Sequence, residues 1–306
     1  MSTQAIPSQQ ATTRSGIINA VSAYLMWGIA PLYFKLLSDI NASEILVHRI
    51  VWSSLFLLIM VVVMKKWPSL VSICQQPKLL AKLAISSSFL AVNWFLFIWA
   101  INNDHLLDAS LGYFINPLFS VALGVFFLGE RLRRNQLFAV ALAVIGVLIQ
   151  LVMLGSLPII SFALAGTFGL YGLLRKKLQV DSFVGLLVES FLMLPLAVIY
   201  WVFFIDSASA NMITNNSSLN MTLIMAGIVT TAPLLCFTAA AKRLTLSALG
   251  FFQYIGPSIM FVLATAYFNE PLQTEKLLTF VFIWAALAIF SADSIRALKQ
   301  NKKQLN

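Results

Sequence analysis

Three ionisable side chains inside apolar stretches are the first candidates for chemistry. Glu189 is the only carboxylate well inside a long apolar segment, while His48 and Arg49 lie near the start of another. A charged group at the centre of a membrane helix costs about 2.5–3.5 kcal/mol, so each needs a functional or a structural reason. Glu189 is either a proton acceptor or cation contact, or a structural hydrogen-bond partner of a neighbouring helix. Arg49 either contacts a solute or extends its charge outward to water, and His48 is a weaker candidate because one hydrogen bond satisfies a neutral imidazole.

A second group of side chains suits a neutral or amphipathic solute, because binding pockets are mostly apolar with a few placed polar groups. Its members are Lys35, Asn93, Trp94, Trp99, Tyr113, Asn116, Tyr171, Gln253 and Tyr254. The alternative for any one Trp or Tyr near a segment end is an anchor at the membrane interface, which is the interpretation favoured for Trp67 and Trp201.

Two prolines and two glutamates recur at matching places. Pro117 and Pro257 each interrupt an apolar segment and free a backbone carbonyl, so both are hinge or gating candidates, although neighbouring groups often satisfy such breaks without function. Glu130 lies thirteen residues after Pro117 and Glu270 thirteen residues after Pro257, and each precedes the next predicted helix. A carboxylate there can cap free N–H groups, so structural capping is predicted for both.

Several kinds of enzyme site have no counterpart in this sequence. No glycine loop with Lys for ATP, no Gly-x-Ser-x-Gly and no His-Glu-x-x-His is present, and the chain has only two histidines. No cofactor and no metal site is therefore expected. A membrane-embedded enzyme that acts on a lipid or lipid-linked substrate stays the alternative function, with Glu189 or His48 as its acid or base.

The composition requires a bilayer to solvate the chain. Of 306 residues, 60% are hydrophobic and 10% charged, against about 25% charged in ordinary soluble domains. The net charge of +9 comes from short Lys and Arg runs between apolar segments, which indicates orientation in a membrane rather than nucleic-acid binding. The two cysteines form no disulfide framework.

The hydropathy pattern predicts an all-α integral membrane protein with ten transmembrane helices. About 20 apolar residues span a hydrocarbon core as a helix, in which every backbone polar group is satisfied. The predicted spans are 16–37, 44–64, 82–102, 106–128, 136–154, 157–174, 182–205, 222–241, 247–268 and 276–296. With the N-terminus inside, 17 of the 20 Lys and Arg residues fall on the cytoplasmic side, leaving Lys35, Arg49 and Lys276 outside. Both termini are therefore expected to be cytoplasmic.

An internal repeat indicates that the chain is duplicated. Trp27-Gly28 followed by Lys35 returns as Phe168-Gly169 followed by Lys176, each 141 residues later. Leu111-Gly-Tyr-Phe returns as Leu249-Gly-Phe-Phe, and Pro117 with Glu130 returns as Pro257 with Glu270. Five helices per copy make the two copies enter the membrane in opposite senses. The predicted organisation is a polar cytoplasmic tail 1–15, a first five-helix repeat 16–155, a second repeat 156–296 and a basic cytoplasmic tail 297–306.

The chain resembles the EamA-like drug/metabolite transporters, and within them the RarD type, also called chloramphenicol-sensitive protein. The residues that carry the resemblance are Tyr24 to Gly28, Pro31 to Lys35, Glu44 to Arg49, Asn93-Trp94, Leu111 to Pro117, Gly129 to Arg131 and Phe168 to Lys176. The resemblance implies a ten-helix permease that moves small organic compounds, often outward, without hydrolysing a nucleotide. Some relatives use a Glu in the first helix for proton coupling, but the first helix here has no acidic residue.

These observations predict a secondary transporter that moves a small organic metabolite or drug by alternating access. Inverted repeats place a solute site near the midplane where the copies meet. Chloramphenicol is a candidate solute by resemblance alone, and export is the candidate direction. The expected partners are the solute, the lipid bilayer and protons as candidate coupling ions, with no nucleic acid. A monomer in the bacterial inner membrane is the expected state, and no catalytic activity is expected.

Overall fold

The computed structural model describes residues 9–103, 105–154, 158–205, 207, 209, 211–267 and 274–305, and all regular structure in these ranges is helical. The helices are α1 (Gln9–Lys35), α2 (Ala42–Val63), α3 (Trp67–Cys74), α4 (Pro77–Asn102), α5 (Leu106–Leu128), α6 (Arg134–Leu154), α7 (Ile159–Lys177), α8 (Ser182–Phe204), α9 (Ser217–Ala241), α10 (Leu246–Gln253), α11 (Ile255–Val262) and α12 (Thr274–Leu305). A π-helical turn, Leu263–Tyr267, extends α11.

Nine stretches of the described residues are helical, long and apolar enough to cross a membrane. They correspond to nine of the ten predicted spans, with α10, α11 and the π-helical turn counted as one stretch. The remaining predicted span is α7, whose 19 residues end in the cations Arg175, Lys176 and Lys177. The prediction of a helical integral membrane protein is confirmed, while the count of ten spans remains a prediction.

The helix ends differ from the predicted spans at both termini. The first helix begins at Gln9, inside the predicted tail 1–15, and the last continues to Leu305, through most of the predicted tail 297–306. Polar residues continue a helix readily where its backbone hydrogen bonds are already aligned. Hydropathy therefore located the apolar part of each helix and missed its polar extension.

The two matching prolines have different effects on the backbone. The helix that contains Pro257 is broken between α10 and α11, at Tyr254, next to the Gln253 carbonyl that a proline ring leaves without its donor. In contrast, α5 continues through Pro117 from Leu106 to Leu128. The two prolines therefore differ in local geometry, and the hinge or gating roles of both stay predictions.

The helices pack in a small number of pairs. The main contacts join α1 to α9 and α11, α2 to α8 and α9, α4 to α7 and α8, α5 to α7 and α10, and α6 to α12. At the α2–α9 crossing a Cβ atom on Gly227 would lie 2.5 Å from the carbonyl carbon of Trp52. Only glycine permits that approach, as small residues commonly do between membrane helices.

The outward faces of the helices are apolar. The exposed fractions of Phe126, Val152 and Phe203 are 82%, 78% and 74%. Monomeric soluble proteins rarely expose such large apolar surfaces. These faces are therefore the surface that lipid covers.

Candidate solute cavity and its closed end

A cavity of about 470 Å³ lies among α1, α2, α4, α5, α7, α9, α10 and α11. It reaches the helix ends at Ala42, the first residue of α2, and Ile101, near the last of α4. We call this the cavity end of the molecule. The deep wall includes Phe168 and Leu234, so the cavity extends towards the middle of α7 and α9.

The cavity collects half of the predicted polar candidates. Those in its wall are Arg49, Asn93, Trp94, Tyr113, Asn116 and Gln253, together with the hinge candidate Pro257. They come from four separate predicted spans, and the structure brings them around one space. Tyr24 and Thr230 also line the cavity and were missed from sequence, because Tyr and Thr hydroxyls are common in membrane helices and indicate a cavity less clearly than amides or charges do.

Arg49 lies in this wall and is partly exposed to the cavity. Its Nε donates a hydrogen bond to Oγ1 of Thr230 on α9 at 2.8 Å. Its guanidinium carbon lies 4.9 Å from the ring centroid of Trp94 and 5.6 Å from that of Phe34. In the described part of the chain no Asp or Glu forms a salt bridge with it. Arg49 therefore faces the cavity as a cation stabilised by aromatic faces and one hydroxyl.

Asn93 and Gln253, two amide side chains of the wall, have different hydrogen-bond partners. Asn93 donates from Nδ2 to the Leu164 carbonyl at 2.9 Å and to Oγ1 of Thr167 at 3.0 Å, so it joins α4 to α7. Gln253 donates from Nε2 to Oγ of Ser120 at 3.3 Å, and its side chain also interacts with the Tyr24 hydroxyl, so it joins α10 to α5 and α1.

One polar atom beside the cavity lacks a partner among the described residues. The Asn116 Oδ1 atom is buried and makes no hydrogen bond with any of them. Buried polar groups normally have partners, so unsatisfied ones at a cavity are places where a ligand or water can bind.

Glu189 lies outside the cavity wall, in a buried ion pair. Its Oε1 is 3.4 Å from Nη1 of Arg175, and its Oε2 accepts from the Tyr171 hydroxyl at 3.4 Å. The exposed fractions of the Arg175 and Glu189 side chains are 0% and 1%. Arg175 was counted from sequence as a cytoplasmic loop charge, whereas it belongs to α7 and is fully buried. Its position four residues after Tyr171 is the signal that places both on one helix face.

His48 is also outside the cavity, at the α2–α8 contact. Its Nδ1 accepts from Nε1 of Trp52 at 3.2 Å, and its ring lies 4.7 Å from that of Trp201, a predicted interfacial anchor. One turn away, Glu44 is 1% exposed and accepts from the Ser207 hydroxyl at 2.6 Å. Glu44 lies only three residues into α2, and its place near the end of an apolar segment gave no sign of this burial.

The remaining candidates make local contacts. The Tyr254 hydroxyl donates to the Phe114 carbonyl at 3.3 Å, joining the break in the α10–α11 helix to α5. Trp99 stacks on His105 with ring centroids 5.5 Å apart, at the exposed end of α4. Lys35 is the last residue of α1 and is not in the cavity wall.

Glu130 caps a helix, but a different one from the helix predicted. Its Oε1 accepts from the backbone N–H of Leu246 at 2.6 Å, and its Oε2 accepts from the N–H and the hydroxyl of Ser247 at 2.9 and 2.7 Å. These groups begin α10, in the other half of the chain, and not α6. A carboxylate at a helix N-terminus satisfies free N–H groups and the helix dipole. Glu270 lies outside the described residues.

More polar contacts join helices at this same end, which we call the closed end. Lys66 and Asp181 form an ion pair at 2.7 Å, and Arg133 and Asp293 another at 2.5 Å. Burial raises the pKa of Asp181, but hydrogen bonds from Lys66 and from the backbone N–H groups that begin α8 outweigh it, so the pKa is lowered overall.

Two lysines bridge helix termini at the closed end. The Lys176 ammonium donates to the Leu244 carbonyl, after α9, and the Lys242 ammonium donates to the Val180 carbonyl, before α8. Cations at helix C-termini satisfy free carbonyls. Burial and the nearby Arg175 lower the pKa of Lys242 to about 8.

Comparisons with known proteins agree with this architecture. The model of the EamA-like transporter family matches residues 14–152. Protein RarD of Escherichia coli is 52% identical, over 95% of this chain and 98% of that protein. An uncharacterized transporter of Vibrio cholerae is 54% identical, over 95% and 96%, and the chloramphenicol-sensitive protein RarD of Pseudomonas aeruginosa is 30% identical, over 94% and 97%. One crystal structure aligns with a TM-score of 0.71 and 18% identity, over 94% and 98% of the two chains, and shows the fold alone.

The helical fold and these similarities define a multi-pass membrane transporter through which a small solute passes. The chain belongs to the EamA-like transporter family and is of the RarD type.

Proposed function

We propose that the protein is a secondary transporter that moves a small organic solute across the bacterial inner membrane by alternating access. The observation that carries this proposal is a cavity that reaches one end of the helices while polar contacts join the helices at the other end. A carrier needs a site that is accessible from one side at a time, and this arrangement is one of its two states.

Ten membrane helices in two inverted repeats, residues 16–155 and 156–296, are part of the proposal. If α1, α2, α4, α5 and α6 correspond to α7, α8, α9, α10–α11 and α12, the packing pairs correspond as well. The contact of α1 with α9 matches that of α7 with α4, and the contact of α1 with α11 matches that of α7 with α5. The pairs α2–α8, α5–α10 and α6–α12 map onto themselves. This correspondence supports an in-plane two-fold relation, with α7 as the tenth span.

The proposed orientation places the closed end and both termini in the cytoplasm. Lys66, Arg133, Lys176 and Lys242 all lie at the closed end, and positive charge favours the cytoplasmic side. The cavity end then faces outward. Access from the cytoplasm requires the helices held by Glu130, Lys66 and Lys242 to separate. Because one chain supplies the whole cavity wall, a monomer is sufficient.

Coupling to protons is a separate question, and Glu189 is its main candidate. The ion pair with Arg175 gives Glu189 a structural role that needs no proton transfer. We expect Glu189→Gln to weaken proton-driven flux only if the carboxylate carries the proton. An unchanged pH dependence of flux in this variant, at equal folded protein, would remove Glu189 from the coupling mechanism.

The test of transport uses purified protein in liposomes loaded with labelled solutes, including chloramphenicol, metabolites and aromatic acids. We expect saturable flux of at least one solute, and Ala42→Trp, which fills the cavity end, should reduce it at least about tenfold. The matched control is Ala141→Trp, on an exposed face of α6. Turnover of a lipid without flux of any solute would instead support the membrane enzyme.

The inverted arrangement has its own test. Accessibility labels at residues 130 and 270 should react from opposite sides of the membrane, with 130 on the cytoplasmic side. Labelling of both positions from one side would contradict the repeats while leaving the flux result unaffected.

A further inference from the structure

We propose that the cavity binds an organic anion, a solute that joins one carboxylate or similar oxyanion to an apolar body, with Arg49 as the counter-ion. This inference rests on the proposed function, since it names the class of solute that the transporter carries.

The charge balance of the cavity carries the proposal. Arg49 is the only charged residue among the described residues of the wall. Its partners are the Thr230 hydroxyl and the faces of Trp94 and Phe34, none of which bears a negative charge. A cation in a site of low dielectric attracts an anion much more strongly than it does in water. Among the described residues, the one cation of this wall has no anionic partner, which favours a solute of charge −1 over a neutral one.

The guanidinium also keeps donors that suit an oxyanion. The hydrogen bond from Nε to Thr230 and the nearby rings of Trp94 and Phe34 hold the guanidinium in place. Nε of Arg49 donates to Thr230, whereas its Nη atoms donate to none of the described residues. A guanidinium binds the two oxygens of a carboxylate through paired N–H groups, so these free donors suit that ligand.

The rest of the wall specifies an apolar body with a second polar group. Trp27 and Phe168 pack with ring centroids 5.9 Å apart and line the cavity together with Phe97. The Gln253 side chain and the Tyr24 hydroxyl, which interact with each other, lie in the same wall, together with Asn116, whose Oδ1 has no partner among the described residues. The volume of about 470 Å³ is in the usual range for drug-sized ligands. An aromatic or branched organic acid with one further polar group fits this wall, whereas an inorganic anion would leave the apolar surface uncovered.

The experiment compares acids with their neutral amides on detergent-solubilised full-length protein. The probes are indole-3-acetate with indole-3-acetamide and 4-phenylbutyrate with 4-phenylbutyramide, and binding is measured by thermal stabilisation and titration. We expect each carboxylate to bind the wild type roughly ten- to a hundredfold more tightly than its amide, the range for a hydrogen bond to a charged group. Equal affinities for acid and amide would overturn the proposal.

Substitutions at Arg49 test whether this residue provides the preference. Arg49→Gln should remove the preference for acid over amide, and Arg49→Lys should keep part of it. A purely structural role of Arg49 would weaken acid and amide binding equally, and a preference that survives Arg49→Gln would contradict the assignment. The matched control, Arg243→Gln, removes an exposed cation after α9 and should leave the ratio unchanged. If Arg49→Gln fails to fold, the ratio of acid to amide affinity in the wild type and in Arg49→Lys still tests the proposal.

Two further arms separate related outcomes. Inorganic phosphate and methylphosphonate show whether an oxyanion alone is sufficient, and tight binding of either would contradict the requirement for an apolar body. Saturable flux of a neutral solute that no carboxylate inhibits would leave transport intact and end the anion proposal. Arg49-dependent binding of carboxylates with no flux of any solute would leave the anion site intact and end the transport proposal.

Discussion

Arg49 and Glu189 occupy the same place in two helices and have opposite surroundings. Each is the eighth residue of its helix, α2 or α8, and these two helices pack against each other. Glu189 is buried against the cation Arg175 and the Tyr171 hydroxyl. Arg49 faces a cavity and has no anionic partner among the described residues. Equivalent positions therefore carry a completed ion pair at the closed end and an incomplete one at the cavity end.

The surroundings of Arg49 and Glu189 indicate different roles for the two charges. A buried ion pair that is complete within the protein fixes the packing of the helices that contribute it. A buried charge whose partner is missing costs free energy unless a ligand completes the pair. We infer that α8 uses its charge to hold α7, whereas α2 keeps its charge available to a solute.

The largest effect that can break this comparison is removal of the Glu189 charge. Glu189→Gln leaves Arg175 buried without a counter-ion, and its Nε and Nη2 already lack partners among the described residues. We expect the free energy of unfolding to fall by about 3–5 kcal/mol, measured by denaturation in detergent. Arg49→Gln, the matched change on α2, should change it by about 1 kcal/mol or less in either direction, because it removes a charge that has no anionic partner among the described residues and leaves no buried charge behind.

A double variant supplies the control for this comparison. Arg175→Leu with Glu189→Leu removes both charges, and its stability should return to within about 2 kcal/mol of the wild type. Equal losses in Glu189→Gln and Arg49→Gln would show that the two positions are equivalent and that the comparison is wrong.

The cap at Glu130 should give the next largest effect, because it joins the two halves at the closed end. Glu130→Ala removes the acceptor for the N–H groups of Leu246 and Ser247 and should cost about 2 kcal/mol. Glu130→Gln keeps one acceptor oxygen and should cost less. Since the carboxylate protects these N–H groups, hydrogen exchange at the start of α10 should rise in Glu130→Ala. Unchanged exchange there would separate Glu130 from closure of this end.

Gly185 tests how closely Arg175 must be held to its partner. A Cβ atom at this position would lie 2.5 Å from Nη1 of Arg175, so Gly185→Ala pushes the guanidinium away from Glu189. We expect a loss of about 1–2 kcal/mol in unfolding free energy, as for overpacking of a core. Gly166→Ala is the matched control, since its Cβ would be at an ordinary 3.6 Å from Phe119. An equal effect of the two changes would indicate only a general cost of replacing glycine in these helices.

Sequence alone predicted the helices well because a membrane span has a strong signal. Uninterrupted apolar runs and their polar boundaries located α2, α5 and α8 to within a few residues. The charged and amide side chains within the predicted spans also included Arg49, Asn93 and Gln253, which lie together in the cavity wall. These residues were found because polar groups in apolar segments are costly and therefore few.

The tertiary partners of these residues could not be predicted in the same way. Arg175 looked like a loop charge because hydropathy alone cannot tell the last buried turn of a helix from the loop that follows it. Glu130 was assigned to the next helix in sequence, whereas its carboxylate reaches the start of α10, 116 residues away. Such partners depend on which helices meet, and local patterns carry no information on that contact.

The smallest expected effect concerns the partly exposed ion pair of Lys66 and Asp181. Its contribution to the free energy of unfolding can be compared with that of the buried pair of Arg175 and Glu189. The side chains of Lys66 and Asp181 are 26% and 38% exposed, so water screens this pair and its contribution is at most about 1 kcal/mol. The pKa of Asp181 is lowered in the folded protein because its hydrogen bonds outweigh burial. Its contribution is therefore present above the pKa of the unfolded carboxylate and is lost as pH falls through the lowered folded-state value. Melting curves of the wild type and Asp181→Asn should converge over that window, and curves that stay equally far apart on acidification would assign the stability to the N-cap bonds instead.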